Sequence, residues 1–203
     1  PPRPLPPREL VPACRGRGVP AVAIICEGDL TAAKEAADLA PAELTVIVGQ
    51  QIRTTQGEIV GLFLDRAVPD ECPLDEGVTA VEDQGGVVMI PHPVWGDPPS
   101  PASIREMGPR IGCVEALSGP GSLMRSTFGI EDARLMQTFG LRIAAGSGAV
   151  RADQIGSAHM RMAPFHDARG FLQALDEAEP VQQRRGLRPA AHRERRRGND
   201  TDT

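Results

Sequence analysis

Short apolar runs alternate with amphipathic stretches along most of this chain. Runs of aliphatic and β-branched residues predict strands, and apolar residues at a spacing of three or four predict helices. The predicted strands cover residues 19–25, 44–48, 59–64, 87–90, 111–117 and 141–145, with one more short strand at 160–163. The predicted helices cover residues 30–39, 75–84, 130–139 and 167–178. This alternation predicts a parallel sheet with crossover helices, either an open doubly wound sheet or an incomplete barrel.

Local signals mark several of these boundaries. Asp29 is placed to cap the helix at 30–39, and Gly85 and Gly140 are placed to end two other helices. Residues 96–110 are rich in proline, glycine and serine. We expect them to form a loop over the strand ends.

The two ends of the chain differ from its centre. The proline-rich residues 1–8 are expected to form neither helix nor strand and to be disordered. Residues 180–203 are polar and contain Arg193-Glu194-Arg195-Arg196-Arg197, which predicts a disordered tail. Contact of this tail with nucleic acid is the alternative. Residues 9–179 are therefore predicted to form one α/β domain.

Composition narrows the function classes. The chain has 203 residues, a net charge of -5 and only 3% aromatic residues, which argues against a nucleic-acid-binding body. Its four cysteines are Cys14, Cys26, Cys72 and Cys113, and their spacing matches neither a zinc site nor a disulfide framework. No apolar run is long enough for a membrane span, and no signal peptide is evident. A cytoplasmic location is expected.

A histidine lies at the end of the fourth predicted strand. His92 follows residues 87–90 and stands between Pro91 and Pro93, which restrict the backbone on both sides. In α/β folds, ligands and metals collect beyond the C-terminal ends of parallel strands. His92 is therefore a candidate metal ligand or proton carrier, and a tight surface turn that contains a histidine is the alternative.

Four segments together resemble one known family. They are residues 48–64 (Val-Gly-Gln-Gln-Ile through Leu64), residues 85–93, Val114-Glu115-Ala116, and Ala145-Gly146-Ser147-Gly148-Ala149-Val150 ahead of Ile155-Gly156. In this order and spacing the chain resembles the PHP (polymerase and histidinol phosphatase) family of metal-dependent phosphoesterases, from about Pro7 to Ala178.

The resemblance implies a fold, a chemistry and a ligand class. The fold is an α/β, distorted (βα)7-type barrel, and the centre holds two or three divalent metal ions (Mn, Zn or Fe) at the strand ends. The reaction is hydrolysis of a phosphorylated small molecule or nucleotide, in which the cations activate water and offset the charge of the phosphate. The family's first strand, with a His-x-His ligand pair, has no counterpart here. We expect an incomplete barrel, open beside residues 19–25.

Several of the family's ligand positions hold other residues. Ile25-Cys26-Glu27 stands where the family has Thr-Asp-His, and Gln51 stands where a bridging glutamate is expected. Gly148 and Val150 replace the Asp and His of a late motif. The remaining candidate metal ligands are His92, Glu58, Glu27 and Cys26, and the candidate pocket residues are Glu115 and Ser147.

These replacements lead to three hypotheses. The first is a PHP-like phosphoesterase with an eroded metal centre and little or no catalysis. The second is a noncatalytic binding or interaction module that uses the old phosphate pocket. The third is a reduced phosphoesterase with a mononuclear centre, because few ligands remain.

Overall fold

The computed structural model describes residues 5–91, 97–119 and 140–182. Its helices are α1 (Pro7–Gly16), α2 (Thr31–Leu39), α3 (Leu74–Glu82), α4 (Pro101–Met107) and α5 (Ala168–Asp176). Its strands are β1 (Ala21–Glu27), β2 (Thr45–Thr54), β3 (Gly57–Leu62), β4 (Val87–Ile90), β5 (Ile111–Ser118), β6 (Arg142–Gly146), β7 (Ala158–Arg161) and β8 (Glu179–Gln182). In this part of the chain, no helix is both long and apolar enough to cross a membrane.

Six strands form one mixed sheet in the order β1-β2-β3-β4-β5-β6, and β7 and β8 form a separate antiparallel pair. The strands β1 and β2 are parallel, as are β4, β5 and β6, whereas β3 is antiparallel to both of its neighbours. The α/β prediction is thus confirmed, but the expectation of parallel order throughout is wrong for β3. The reason is that β2 runs on to Thr54 and turns back at Gly57, which leaves no length for a crossover helix.

The sheet buries apolar side chains on both faces. One face packs against α3 and α4, through residues that include Ile52, Ile59, Val78, Val81, Val88 and Ile90. The other face packs against α5, through residues that include Ile47, Val60, Met89, Cys113, Phe165 and Phe171. Alternate residues of each strand point to opposite faces, so this division also decides which polar residues share a face.

The described strands do not close into a barrel through hydrogen bonds, because β1 pairs with β2 alone among them. The chain after β6 nevertheless reaches the start of β1. The side chain of Arg17 donates from Nε to the carbonyl oxygen of Ile155 at 2.5 Å, and Ile155 is buried beside α1. Farther along β1, Ala23, Ile25 and Glu27 are exposed. This face of β1 is therefore open at the end of the strand where the candidate site lies.

The boundaries at the two ends differ from those expected. Helix α1 begins at Pro7, inside the segment expected to lack helix, because a proline in the first turn has no N–H that would need a partner. At the other end, β8 continues to Gln182 by pairing with β7, so the structure extends beyond the boundary placed at residue 179. Residues 1–4 and 183–203 lie outside the described part of the chain.

The expected loop at 96–110 contains regular structure. Helix α4 begins after Ser100, whose Oγ accepts a hydrogen bond from the backbone N–H of Ser103 at 3.2 Å, and a 3₁₀ turn (Gly108–Arg110) follows it. Serine before proline is a helix-start signal as well as a loop signal, and this signal was missed. The helix predicted at 130–139 lies outside the described residues.

Candidate functional site at the strand ends

Three polar side chains form a row where β1, β2 and β3 meet. The register pairs Glu27 with Gln51 and Gln51 with Val60, and Glu58 lies two residues before Val60 on the same face of β3. We call Glu27, Gln51 and Glu58 the strand-end row. The row brings together two of the predicted metal ligands, Glu27 and Glu58, with a neutral amide between them.

Glu58 has hydrogen-bond partners on two sides. The Gln51 amide donates from Nε2 to Glu58 Oε2 at 2.8 Å, and the backbone N–H of Asp97 donates to the same oxygen at 3.1 Å. The backbone N–H of Glu58 in turn donates to the carbonyl oxygen of Asp97 at 2.7 Å. Glu58 thereby connects the β2–β3 hairpin to the chain directly after residues 92–96.

A cationic side chain lies beside the row. Arg53 is the cross-strand partner of Glu58, and its guanidinium contacts Asp70 at 3.0 Å and Glu71 at 3.8 Å. The hydrogen bond and the charge of Asp70 raise the pKa of Arg53, and Glu71 and Glu58 act in the same direction. The guanidinium near the row is therefore already paired with two carboxylates, those of Asp70 and Glu71.

Cys26 lies apart from the row. Consecutive residues of a strand point to opposite faces, so Cys26 faces away from its neighbour Glu27. Burial raises the pKa of the Cys26 thiol, and a backbone hydrogen bond from Ala33, in helix α2, opposes that shift. The structure thus does not bring Cys26 together with the other predicted ligands Glu27 and Glu58.

Of the two predicted pocket residues, Glu115 lies within β5 and Ser147 lies directly after the end of β6. Glu115 extends over β6, since a Cβ added to Gly146 would be only 2.7 Å from Glu115 Oε1. Ser147 follows directly and is half-buried. The N–H of Gly119 donates to the carbonyl oxygen of Gly146 at 3.0 Å and joins the two strand ends. Since β4 separates β3 from β5, Glu115 lies about 10 Å along the sheet from Glu58, and Ser147, which follows β6, is one strand farther away.

His92 lies outside the described residues, although its neighbour Pro91 is buried and Asp97 contacts Glu58. The described part of the chain contains two histidines: His159 is half-buried on β7, with Nδ1 3.0 Å from the carbonyl oxygen of Gly156, and His166 is exposed. Neither of these two belongs to the strand-end row.

The strand-end row does not fit a centre of two or three metal ions. Such a centre needs several anionic or imidazole ligands that converge on closely spaced cations. Here the central side chain is an amide, and one oxygen of Glu58 already accepts two N–H groups. No group of three or more His, Cys, Asp or Glu side chains able to hold a metal occurs among residues 5–91, 97–119 and 140–182.

Two residues that matter at this edge were not identified from the sequence. Asp97 gave no local signal, since its role depends on a contact with Glu58 across the fold. Gln50 is completely buried on the face opposite Gln51. The predicted strand ended at residue 48, before Gly49 and Gln50, whereas β2 continues through both to Thr54.

Comparison with known sequences identifies two partial relatives, and no protein-family model matches. An uncharacterized protein of Methanocaldococcus jannaschii is 32% identical over 88 residues, which is 43% of this chain and 52% of that protein. A second uncharacterized protein of the same organism is 40% identical over 47 residues, 23% of this chain and 20% of its own. The chain thus spans about half the length of the first of these relatives.

Solved structures show the same type of fold at low sequence identity. A two-domain protein of Bacteroides vulgatus that contains a predicted PHP-like metal-dependent phosphoesterase matches with a TM-score of 0.63 and 14% identity, over 86% of this chain and 60% of that one. An amidohydrolase of Chromobacterium violaceum matches with a TM-score of 0.56 and 14% identity, over 88% of this chain and 93% of that one. The chain therefore shares the mixed α/β fold of PHP-like phosphoesterases and amidohydrolases.

Proposed function

We propose that this chain is a PHP-like, phosphoesterase-type domain whose metal centre is eroded and which performs little or no ester hydrolysis. The observation that supports this proposal is the hydrogen bond from Gln51 Nε2 to Glu58 Oε2. The PHP resemblance implies a bridging glutamate at position 51, and an amide there supplies no negative charge to offset two cations. The same amide also donates a hydrogen bond to the carboxylate of Glu58, the neighbouring candidate ligand.

Other positions agree with this proposal. Gly148 has no side chain and Val150 has an apolar one, so neither supplies the Asp or His that the resemblance implies there. Without the second cation, both the activation of water and the stabilisation of the leaving group are weakened. The resemblance implies a pocket at the strand ends, with phosphorylated small molecules or nucleotides as the class of ligand that it would bind.

A reduced, mononuclear phosphoesterase is the second candidate. The observation that favours it is the contact between Glu58 and Asp97. This contact brings Glu58, one candidate ligand, to a residue only five positions after His92, the other candidate ligand, in the sequence. Metal analysis distinguishes the two candidates. A mononuclear enzyme retains one equivalent of metal and loses it in both His92→Ala and Glu58→Ala.

The direct test is a phosphatase assay with p-nitrophenyl phosphate and added Mn²⁺ or Zn²⁺. We expect the wild type and His92→Ala to be equally close to background. Metal-dependent turnover by the wild type that His92→Ala abolishes would contradict the proposal. The triple variant Gln51→Glu, Gly148→Asp, Val150→His is expected to bind metal more tightly than the wild type, because it adds carboxylate and imidazole ligands.

A further inference from the structure

In the strand-end row, a neutral amide separates two acidic side chains, so the row does not need a metal ion to offset repulsion between them. Glu27 and Glu58 are both acidic, and Gln51 lies between them in the register of the sheet. Three acidic side chains in such a row would repel one another unless a cation or a proton joined them. The neutral amide removes this repulsion and adds an N–H donor for Glu58.

The neighbouring strand also places a cationic side chain opposite Glu58. Arg53 lies opposite Glu58 in the β2–β3 ladder, and the two interact electrostatically. Opposite charges in cross-strand positions are stabilising. The N–H groups of Gln51 and Asp97 therefore supply the hydrogen-bond donors that the Glu58 carboxylate requires. The guanidinium of Arg53, which contacts Asp70 and Glu71, adds only a weaker attraction.

The hairpin tip is pressed against the chain that Glu58 contacts. Gly57 has φ of 117°, and a Cβ added there would lie 2.6 Å from the backbone nitrogen of Pro99. The backbone of Gly57 thus packs directly against the backbone of Pro99, beside the two hydrogen bonds between Glu58 and Asp97. This close contact and the two hydrogen bonds hold the β2–β3 turn and residues 97–99 together.

We propose that Gln51, Glu58 and Asp97 form a metal-free clasp, in which Glu58 is a positioning residue for residues 97–99 and not a metal ligand. The clasp rests on the proposed function, because a domain without a hydrolytic metal centre does not need Glu58 as a ligand. It extends that function by assigning a role to the retained carboxylate and by identifying position 51 as the one that decides between clasp and cation site.

The test is thermal unfolding of the full chain in EDTA and in Mn²⁺ or Zn²⁺. The wild type is expected to keep its Tm within about 1 °C between these conditions, whereas Gln51→Glu loses about 3 °C or more in EDTA and regains it with metal. Gln173→Glu adds the same charge at an exposed position of α5 and should show neither effect.

Two further variants keep the proposal testable if Gln51→Glu does not fold. Glu58→Gln keeps an oxygen that can accept the N–H of Asp97 and should lose less stability than Glu58→Ala, with no response to metal in either variant. A wild-type Tm that rises with metal, together with loss of that rise in Glu58→Gln, would overturn the clasp. Ester turnover by the wild type contradicts the proposed function instead, so the two failures are distinguishable.

Discussion

The side-chain amide of Gln50 hydrogen-bonds both backbone polar groups of Val68. Gln50 Nε2 donates to the carbonyl oxygen of Val68 at 2.7 Å, and the N–H of Val68 donates to Gln50 Oε1 at 2.8 Å. Gln50 is completely buried and Val68 is 3% exposed, so water does not replace these bonds. The side-chain amide thereby satisfies the backbone hydrogen-bonding groups of a residue in the connection between β3 and α3, as a neighbouring strand would.

Replacement of Gln50 by leucine is expected to destabilise the fold strongly. Gln50→Leu leaves the buried N–H and C=O of Val68 without partners, and each unsatisfied group costs about 1–3 kcal/mol. We expect a loss of about 2–4 kcal/mol in the free energy of unfolding, measured by urea denaturation.

Gln84 offers a matched control on the same connection. Its Oε1 accepts from the N–H groups of Asp65 and Arg66 at 3.0 and 2.8 Å, but the side chain is half-buried and water can take its place. Gln84→Leu should therefore cost about 1 kcal/mol. Equal losses in the two variants would show that burial of the Gln50 amide is not what makes it important.

Gly57 is expected to tolerate no side chain. In Gly57→Ala the methyl group would lie less than 3 Å from backbone atoms of Pro98 and Pro99, and backbone atoms cannot move aside as the end of a flexible side chain can. We expect a loss of about 2 kcal/mol or more, with the hairpin displaced from residues 97–99. Trp95, the one tryptophan of the chain, provides a fluorescence signal two residues before Asp97.

A substitution at Gly85 is the control that distinguishes the cost of backbone strain from the cost of steric overlap at Gly57. It also has a positive φ, of 69°, but a Cβ there would have no neighbour within 4 Å. Gly85→Ala should therefore cost only the backbone strain, about 1 kcal/mol, and should leave the Trp95 emission unchanged. If Gly57→Ala also leaves the Trp95 emission and the stability nearly unchanged, then Gly57 does not lie as close to Pro98 and Pro99 as the structure places it.

Cys113 is expected to make the fold sensitive to alkaline pH. Burial, and to a smaller extent the charge of Glu115, raise the pKa of this thiol from 9.0 to about 12. A thiol whose pKa is raised by folding stabilises the folded state fully below pH 9, and that stability is lost as pH rises toward 12. The loss approaches roughly 1.4 kcal/mol per pH unit within this window.

Urea denaturation between pH 8.5 and about 10.5 measures this loss. The chain has no tyrosine and a single lysine, Lys34, so the main other groups that titrate in this range are Cys14, Cys26 and Cys72. Burial raises the pKa of each of these three thiols as well. Cys113→Ala should remove the largest part of the pH dependence, because this thiol has its pKa raised to about 12, even though the substitution lowers the stability at pH 8.5. Replacement of the half-buried Cys72 by alanine should retain most of the dependence. An unchanged slope in Cys113→Ala would contradict this assignment.

The strand–helix pattern alone was enough to locate most of the elements. Residues 87–90 were predicted as a strand and form β4 with the same bounds, because four consecutive apolar residues after a glycine pair fit a strand buried on both faces. The C-terminal end of β2 was predicted six residues too early, because the apolar pattern stops before the strand does. Gly49, Gln50 and Gln51 interrupt the apolar run, and only the long-range pairing with β3 shows that the strand continues through them.

The sequence by itself determined the α/β class, most element positions and the set of candidate polar residues, since local periodicity and turn chemistry act over a few neighbouring residues. The tertiary structure decided which of those residues meet. Register and strand direction place Gln51 beside Glu58 and Gln50 beneath Val68, and they turn Cys26 away from Glu27. Contacts such as Glu58 with Asp97, 39 residues apart, depend on how separate segments pack, and no local pattern in the chain encodes that distance.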